Sequence, residues 1–258
     1  MRLAWLFLRI GVMNEVQYRA NFLIQIVQSL VAVVTGIVML AVIFGQTDAL
    51  GGWTQPQLLV VLGVFTIVGG IIGFAIEPNM GRIMSDVHLG TFDYVLLKPV
   101  DSQLLVSVRE FRLWRLTDVF VGSAVLGWAL SLEGTGGGLF GLVGFLVALF
   151  VGSLMIYCVW LLLTTGAFWI VRIDMLQELF TGLYRAGQYP VTIYPGWLRV
   201  ILTFLIPIGF AVTVPAEALT YRLTLLGLGI AIGFSIVLFF VTRAVWRFGV
   251  KNYSGASA

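Results

Sequence analysis

Residues 139–170 form a run without a single charged side chain, and no other feature limits the fold of this chain so strongly. A helix needs about 20 apolar residues to cross the hydrocarbon core of a bilayer. This run exceeds one straight crossing, so it must tilt, break or turn back. The whole chain is 60% hydrophobic and only 10% charged, whereas soluble domains carry about 25% charged residues. The sequence therefore predicts an all-α integral membrane protein.

Apolar length and flanking charges predict six transmembrane helices. Five of these spans lie at about 21–45, 58–77, 113–132, 139–165 and 222–246. The remaining span falls in an interval with scattered charges and several prolines, which disfavour long uninterrupted helices. It lies either at about 199–216, or at about 167–186 with broken helices following over about 187–217. Such re-entrant helices are tolerated where their backbone is buried in protein or lines water.

The first 20 residues combine apolar side chains at helical spacing with Arg2, Arg9 and Arg19. This pattern predicts an N-terminal amphipathic interface helix over 1–20, lying in the membrane surface. The alternative is a cytoplasmic lead-in to the first span. A cleaved signal peptide is not expected, because Arg9 interrupts the apolar region and no small-residue cleavage site follows it.

The distribution of positive charge predicts the orientation of the spans. Most of the 15 lysines and arginines lie in residues 1–20, 77–115 and 243–258, and the loops at 45–57 and 133–138 contain none. Because positively charged loops stay in the cytoplasm, we expect both termini and the interval 77–115 to be cytoplasmic.

Several kinds of chemistry are not expected in this chain. A nucleotide-binding P-loop needs a lysine followed by serine or threonine, but Lys98 precedes Pro99 and Lys251 precedes Asn252. The single cysteine and the single histidine, His88, form no metal-ligand spacing with carboxylates. We therefore expect no catalytic or metal site and no cofactor bound by this chain.

Polar side chains inside the predicted spans are few. Gln25, Gln28 and Ser29 lie on one side of the first span, so this face is expected either to line a path or to form hydrogen bonds between helices. Near the start of the third span, Asp118 has Arg115 in reach as an ion-pair partner. Intramembrane charges are functional candidates by default, but this position is close to the membrane interface.

The interval 77–115 is polar but retains many apolar side chains. Pro78 and Gly81 predict a turn off the second span, followed by a short helix that ends before Gly90. An amphipathic element of this kind needs an apolar surface to dock on. That surface is the bilayer, the chain's own helices or a partner protein.

Two stretches resemble a known family. Glu77-Pro78, Gly90, Phe92-Asp93, Leu96-Leu97 and Lys98-Pro99 resemble the cytoplasmic loop of ABC-2 type transporter permeases. The later stretch YPVTIYPGWLRVILTFLIPIGFAVTVPAEAL is similar to the proline- and tryptophan-containing segment between the fifth and sixth spans of that family.

The resemblance implies an architecture and a function. The chain would be the permease of an ATP-driven exporter, paired with a second permease that is identical or, as we slightly favour, related. ATP and magnesium would bind to separate ATPase subunits, and the protein would lie in a bacterial cytoplasmic or inner membrane. The loop 78–112 would carry a coupling helix on the ATPase, and re-entrant helices would precede the last span, which favours a fifth span at 167–186.

The resemblance also implies site residues. The ATPase-coupling candidates are Arg82, Asp86, His88, Gly90, Phe92, Asp93, Tyr94, Leu97, Lys98 and Pro99. Among these, the aromatic residues and Leu97 would contact the ATPase or pack, while the charged residues would set the register. The re-entrant outer helices would contain Pro190, Pro195, Trp197, Pro207 and Pro215.

Two alternatives from other classes remain. An ion-driven secondary transporter would use intramembrane carboxylates, for which Asp174, Glu178 and Glu217 are the candidates. A membrane-embedded enzyme would need a catalytic constellation, for which one histidine and one cysteine offer little. The sequence does not identify the transported substrate.

Overall fold

The computed structural model describes residue 7 and residues 19–133, 138–168 and 174–253. The predicted interface helix over 1–20 therefore lies almost entirely outside the described residues. The regular elements of the described part are all helices, apart from one isolated bridge between Leu50 and Trp53. The prediction of an all-α protein is confirmed.

The helices are α1 (Arg19–Phe44), α2 (Gln55–Ile71), α3 (Glu77–His88), α4 (Asp93–Leu96), α5 (Ser102–Ser107), α6 (Leu116–Glu133), α7 (Gly138–Thr165), α8 (Asp174–Tyr184), α9 (Gly196–Val200), α10 (Val214–Leu219) and α11 (Leu225–Lys251). Segments of 3-10 helix cover Leu113–Arg115, Gly166–Phe168, Arg185–Gln188 and Val191–Ile193. Segments of π-helix cover Ile72–Ile76, Ile201–Leu205 and Gly209–Thr213.

Five helices of the described part are long and apolar enough to cross a membrane. They are Phe22–Phe44, Gln55–His88, Leu113–Glu133, Gly138–Thr165 and Leu225–Lys251. A sixth candidate is the pair Gly196–Leu205 and Gly209–Leu219, whose axes are bent by 80°. The break falls where Ile206 adopts extended backbone before Pro207, as residues before proline prefer.

The position of the fifth span stays a prediction. The bent pair is compatible with a broken span or a re-entrant hairpin. Over 167–186 the structure describes a 3-10 segment ending at Phe168 and then α8, which has 11 residues. Residues 169–173 lie outside the described part.

The predicted turn at Pro78 is wrong, because the second long helix continues to His88. Two features accommodate the proline. It follows the wider π-helical turn Ile72–Ile76, and it stands at the start of α3, where a missing N–H costs little. Phe74 lies four residues before Pro78, which has no N–H to donate to the Phe74 carbonyl. The backbone N–H of Arg112 donates to this carbonyl at 3.0 Å.

Helices α2 and α6 pack with their backbones in close contact. A Cβ atom added to Gly63 would lie 3.0 Å from the carbonyl oxygen of Gly122, and one added to Gly122 would lie 2.8 Å from that of Gly63. Small residues at such crossings let membrane helices approach closely. This contact holds the second and third long helices together, and both helices line the polar cavity described below.

We expect Gly122→Ala to lower the unfolding temperature of the detergent-purified protein. The new methyl group would meet backbone atoms of Gly63 and Ile67 at 2.8–2.9 Å, and overpacking of this kind costs about 1–3 kcal/mol. Gly127→Ala on the same helix is the matched control, because nothing lies within 4 Å of its added Cβ. Equal melting temperatures for the two variants would contradict this packing.

Candidate functional site: the basic end and a polar cavity

One end of the bundle, here called the basic end, collects the cationic side chains of several helices. Its members are Arg82, Arg109, Arg112, Arg115, Arg243, Arg247 and Lys251. Helix α3, the short helices α4 and α5 and the last turns of α11 meet here. Most of the predicted coupling residues lie on this end.

Asn79 joins the returning segment to α3. Its side-chain nitrogen donates to the carbonyls of Ala75 and Glu110, each at 2.7 Å. Its side-chain oxygen accepts from the backbone N–H groups of Arg109 and Glu110, each at 2.9 Å. The side chain is fully buried, so this network fixes the segment before α6 against α3. Asn79 was not predicted from the sequence, where its only signal is an amide in the first turn of an amphipathic helix.

Asp86 is an internal support rather than a surface contact. Its carboxylate accepts from Arg109 Nη1 at 2.6 Å and lies 3.8 Å from Arg82 Nε. The Thr91 hydroxyl lies 3.3 Å from the same carboxylate, and the Asp86 carbonyl accepts from the amides of Thr91 and Phe92. The side chain is buried. Asp86 thus shapes the turn at Gly90, where the backbone has a positive φ of 68°.

Phe92 is also internal. Its ring is fully buried and lies 5.3 Å from the rings of Phe168 and Tyr253 and 6.1 Å from that of Trp246. Of the two roles predicted for Phe92, contact or packing, the structure assigns packing. The cluster fixes the start of α4 against the end of α11.

Polar contacts extend this attachment to two long helices. Arg243 donates to the Asp101 carboxylate through both terminal nitrogens, and its Nη1 lies 2.8 Å from Gln103 Oε1. Trp246 Nε1 donates to Ser102 Oγ at 3.2 Å. From the other side, the Tyr157 hydroxyl of α7 lies 2.7 Å from Ser107 Oγ. Helix α5 is therefore attached to both α7 and α11.

The hydrogen bond from Arg243 is the main cause that lowers the pKa of Asp101 from 3.8 to about 2. A group with a depressed pKa stabilises the fold above its unfolded-state pKa, and this contribution is lost as the pH falls through the folded-state value.

We expect Asp101→Asn, which can still cap α5, to melt below the wild type at neutral pH. The difference should shrink between about pH 4 and pH 2, and salt should reduce it because Asp101 is partly exposed. Thermal melts across pH measure this, and a difference independent of pH would contradict it.

Three predicted coupling residues, Tyr94, Leu97 and Lys98, are exposed and lie close together in the chain, and the exposed Leu89, which was not predicted, precedes them. The side chains of Tyr94 and Leu97 are 70% and 79% exposed, and Leu89 beside them is 70% exposed. Lys98 is exposed as well, whereas Asp93 is half-buried. We call Leu89, Tyr94, Leu97 and Lys98 the docking face. Arg82, His88 and Pro99 are exposed around it.

A polar cavity of about 350 Å³ lies between α1, α2, α6, α7 and α8. It brings together the three polar residues predicted on the first span, Gln25, Gln28 and Ser29, with Arg115 and Asp118. Arg115 Nη1 lies 3.4 Å from Asp118 Oδ2, so the predicted pair is confirmed. Gln25 Nε2 lies 3.4 Å from both Asp118 oxygens.

Four aromatic side chains of the lining, here called the aromatic wall, are Phe65, Trp160, Phe180 and Tyr184. Phe65 stacks on Tyr184 with ring centroids 4.7 Å apart, and the Tyr184 hydroxyl donates to the Phe65 carbonyl at 2.7 Å. The rings of Trp160 and Phe180 are also 4.7 Å apart. The cavity therefore has one polar and one aromatic wall, as small-molecule sites commonly do.

The other end of the bundle is tied together by two arginines. Arg222 donates to Gly52 O and Gln57 Oε1 and stacks over the Trp53 ring at 4.6 Å. Trp53 Nε1 donates to Thr192 Oγ1 at 3.0 Å, and Arg199 donates to Val191 O at 3.3 Å.

The predicted proline residues differ in their surroundings at this end. Pro190 and Pro195 flank the 3-10 segment Val191–Ile193, and Pro207 lies at the 80° break. Pro215 is buried in α10, and Trp197 is 68% exposed. These positions do not distinguish a broken span from a re-entrant hairpin.

The described residues contain no group of three or more histidine, cysteine or carboxylate side chains that could hold a metal ion. Of the carboxylates proposed for an ion-driven mechanism, Asp174 and Glu178 stand four residues apart on α8, and Glu217 lies on α10. The Asp174 side chain lies outside the described part, and Glu178 is exposed.

The fold and these two sites define a multi-pass helical membrane protein with a basic end and a partly open polar cavity. A family model described as "ABC-2 family transporter protein" matches residues 30–257. The chain belongs to the ABC-2 family of transporters, and it is a membrane component of such a transporter. No curated protein and no solved structure matches it.

Proposed function

We propose that this chain is the permease subunit of an ATP-driven exporter and pairs with a second permease, identical or related. ATP and magnesium bind to separate ABC ATPase subunits, with which this family associates in general. ATP-dependent closure of those subunits moves the basic end, and a path between the two permeases opens outward.

The charges of the basic end support a cytoplasmic position for it. Arginine and lysine side chains from α3, the segment before α6 and the end of α11 all lie there. Positively charged segments next to membrane spans stay on the cytoplasmic side. Both termini are then cytoplasmic, and the membrane is a bacterial cytoplasmic or inner membrane.

The observation that carries the proposal is the docking face. Tyr94 and Leu97 are among the most exposed large hydrophobic side chains of the described residues. The neighbouring side chains Phe92 and Val95 are buried against the rest of the protein. Exposed aromatic and aliphatic side chains on a rigid support are typical of protein contact sites. At the predicted cytoplasmic end, the partner for such a face is the ATPase.

The supports of the docking face make it a mechanical link to the spans. Helix α3 continues directly from α2. Asp101 and Phe92 attach the segment to α11, and Ser107 attaches it to α7. A displacement of the docking face therefore moves three long helices together.

Co-purification tests the proposal. The tagged chain, extracted from its host in mild detergent, should bring down an ABC ATPase that mass spectrometry identifies, together with any related second permease. A chain carrying Tyr94→Ser and Leu97→Ser should lose the ATPase. Repeated recovery of the wild-type chain without any ATPase, in several mild detergents, would contradict the proposal.

A further inference from the structure

The polar wall of the cavity is incompletely paired. The three contacts that join Gln25, Arg115 and Asp118 are all 3.4 Å long. Hydrogen bonds with a charged partner are usually about 2.7–2.9 Å, so these groups keep capacity for a further partner. Weakly paired groups beside an open volume are suited to exchanging partners with a ligand.

Three lining residues also carry buried polar atoms that have no hydrogen-bond partner among the described residues. These atoms are Ser29 Oγ, Arg115 Nε and Trp160 Nε1. Two of them can only donate, and the serine hydroxyl can donate as well. A buried donor left without an acceptor costs free energy. Each of the three atoms has less than 1 Å² of accessible surface, so a ligand reaches it only after its side chain turns towards the cavity. A ligand that brings acceptor oxygens would then relieve this cost.

Each charged side chain of the cavity lining already has an oppositely charged partner, and the partner of Glu77, Arg112, lies outside the lining. Arg115 lies beside Asp118, and Glu77 at the cavity lies 3.3 Å from Arg112. A charged ligand would have to leave water without gaining an unpaired counter-ion, which is unfavourable in such a site. The aromatic wall of Phe65, Trp160, Phe180 and Tyr184 offers a surface for an apolar, ring-containing body.

We propose that this cavity binds an uncharged amphiphilic molecule whose carbonyl or similar oxygens accept hydrogen bonds from Trp160, Ser29 and Arg115. Its apolar rings pack on the aromatic wall. A volume of about 350 Å³ limits the bound part to a small molecule or one end of a larger one. The inference rests on the proposed function only in identifying this molecule as cargo, and binding to the cavity is testable without any ATPase.

Benzophenone is a suitable probe, because it is uncharged and carries one carbonyl acceptor between two rings. Under ultraviolet light its carbonyl also forms covalent bonds to nearby C–H groups. The purified chain, without an ATPase, is illuminated with increasing benzophenone, and labelled peptides are identified by mass spectrometry. We expect saturable labelling of the cavity peptides around residues 25–33 and 178–188. Benzophenone analogues that carry a carboxylate or a trimethylammonium group should label these peptides at least tenfold less.

Matched variants locate the contact. Trp160→Phe keeps an aromatic ring but removes the donor, so labelling of the cavity peptides below saturation should fall about fivefold, the effect of one hydrogen bond. Trp128→Phe, at an exposed position on α6, should leave it unchanged. Ser29→Ala removes another donor with little change in volume and serves if Trp160→Phe does not fold.

Three outcomes would overturn the inference. They are labelling that does not saturate and spreads over exposed apolar helix faces, equal labelling in the donor variants, and preference for a charged analogue. Any of these would leave co-purification with an ATPase unaffected. Conversely, cavity labelling in a chain that recovers no ATPase would retain the site and remove the proposed transport function.

Discussion

A chain carrying both Tyr94→Ala and Leu97→Ala is expected to lose transport-coupled stimulation of the partner ATPase by at least tenfold. Each side chain is more than two-thirds exposed, so truncation removes contacts with the partner but few within the chain. Interface residues of this kind contribute about 2 kcal/mol or more when they are central to a contact. The measurement is ATP hydrolysis by the reconstituted complex in liposomes, compared with the ATPase alone.

The control for this prediction is Leu226→Ala. Leu226 is 75% exposed in the first turn of α11, at the other end of the bundle. It matches Leu97 in residue type and exposure but cannot contact an ATPase at the basic end. Both proteins should elute and melt like the wild type. Full ATPase coupling in a well-folded double variant would show that the docking face is not the contact with the ATPase.

The second large effect is expected from Asp86→Ala, which should strongly destabilise the basic end. The substitution leaves Arg109 without its 2.6 Å partner and removes the carboxylate acceptor of the Thr91 hydroxyl. Breaking a buried ion pair by removing one member costs about 3–5 kcal/mol. Thermal unfolding and limited proteolysis after residue 88 measure the effect.

Adding Arg109→Ala to Asp86→Ala should recover part of the lost stability, because no unpaired buried charge remains. The comparison of wild type, both single variants and the double variant gives the coupling free energy between the two side chains. A strictly additive pair would contradict the interpretation of Asp86 as the support of this segment. Arg82→Ala should have a small effect, because its side chain is 53% exposed and 3.8 Å away.

The long helices could be predicted because apolar length is a strong signal in a bilayer. Residues 139–170 lack charge, and α7 occupies most of that run. The continuation of the second helix through Pro78 could not be predicted. It depends on a π-helical turn and on a donor from Arg112, which is distant in sequence.

The sites could be predicted only in part. The spacing of Gln25, Gln28 and Ser29 indicated a face that meets protein or water, and all three line the cavity. Phe92 and Tyr94 are two residues apart and chemically alike, yet one is buried and the other exposed. The cluster that buries Phe92 combines Phe168, Trp246 and Tyr253 from distant parts of the chain. No local pattern identifies such a cluster.

The most direct test of the central claim is a photocrosslink from the docking face. A photoreactive phenylalanine analogue at position 97 of the chain, within the membrane-embedded complex, should crosslink to an ABC ATPase that mass spectrometry identifies. The same analogue at position 226 should label only lipid or a second permease. Crosslinks from position 97 to lipid alone, in membranes that contain the active ATPase, would contradict the account.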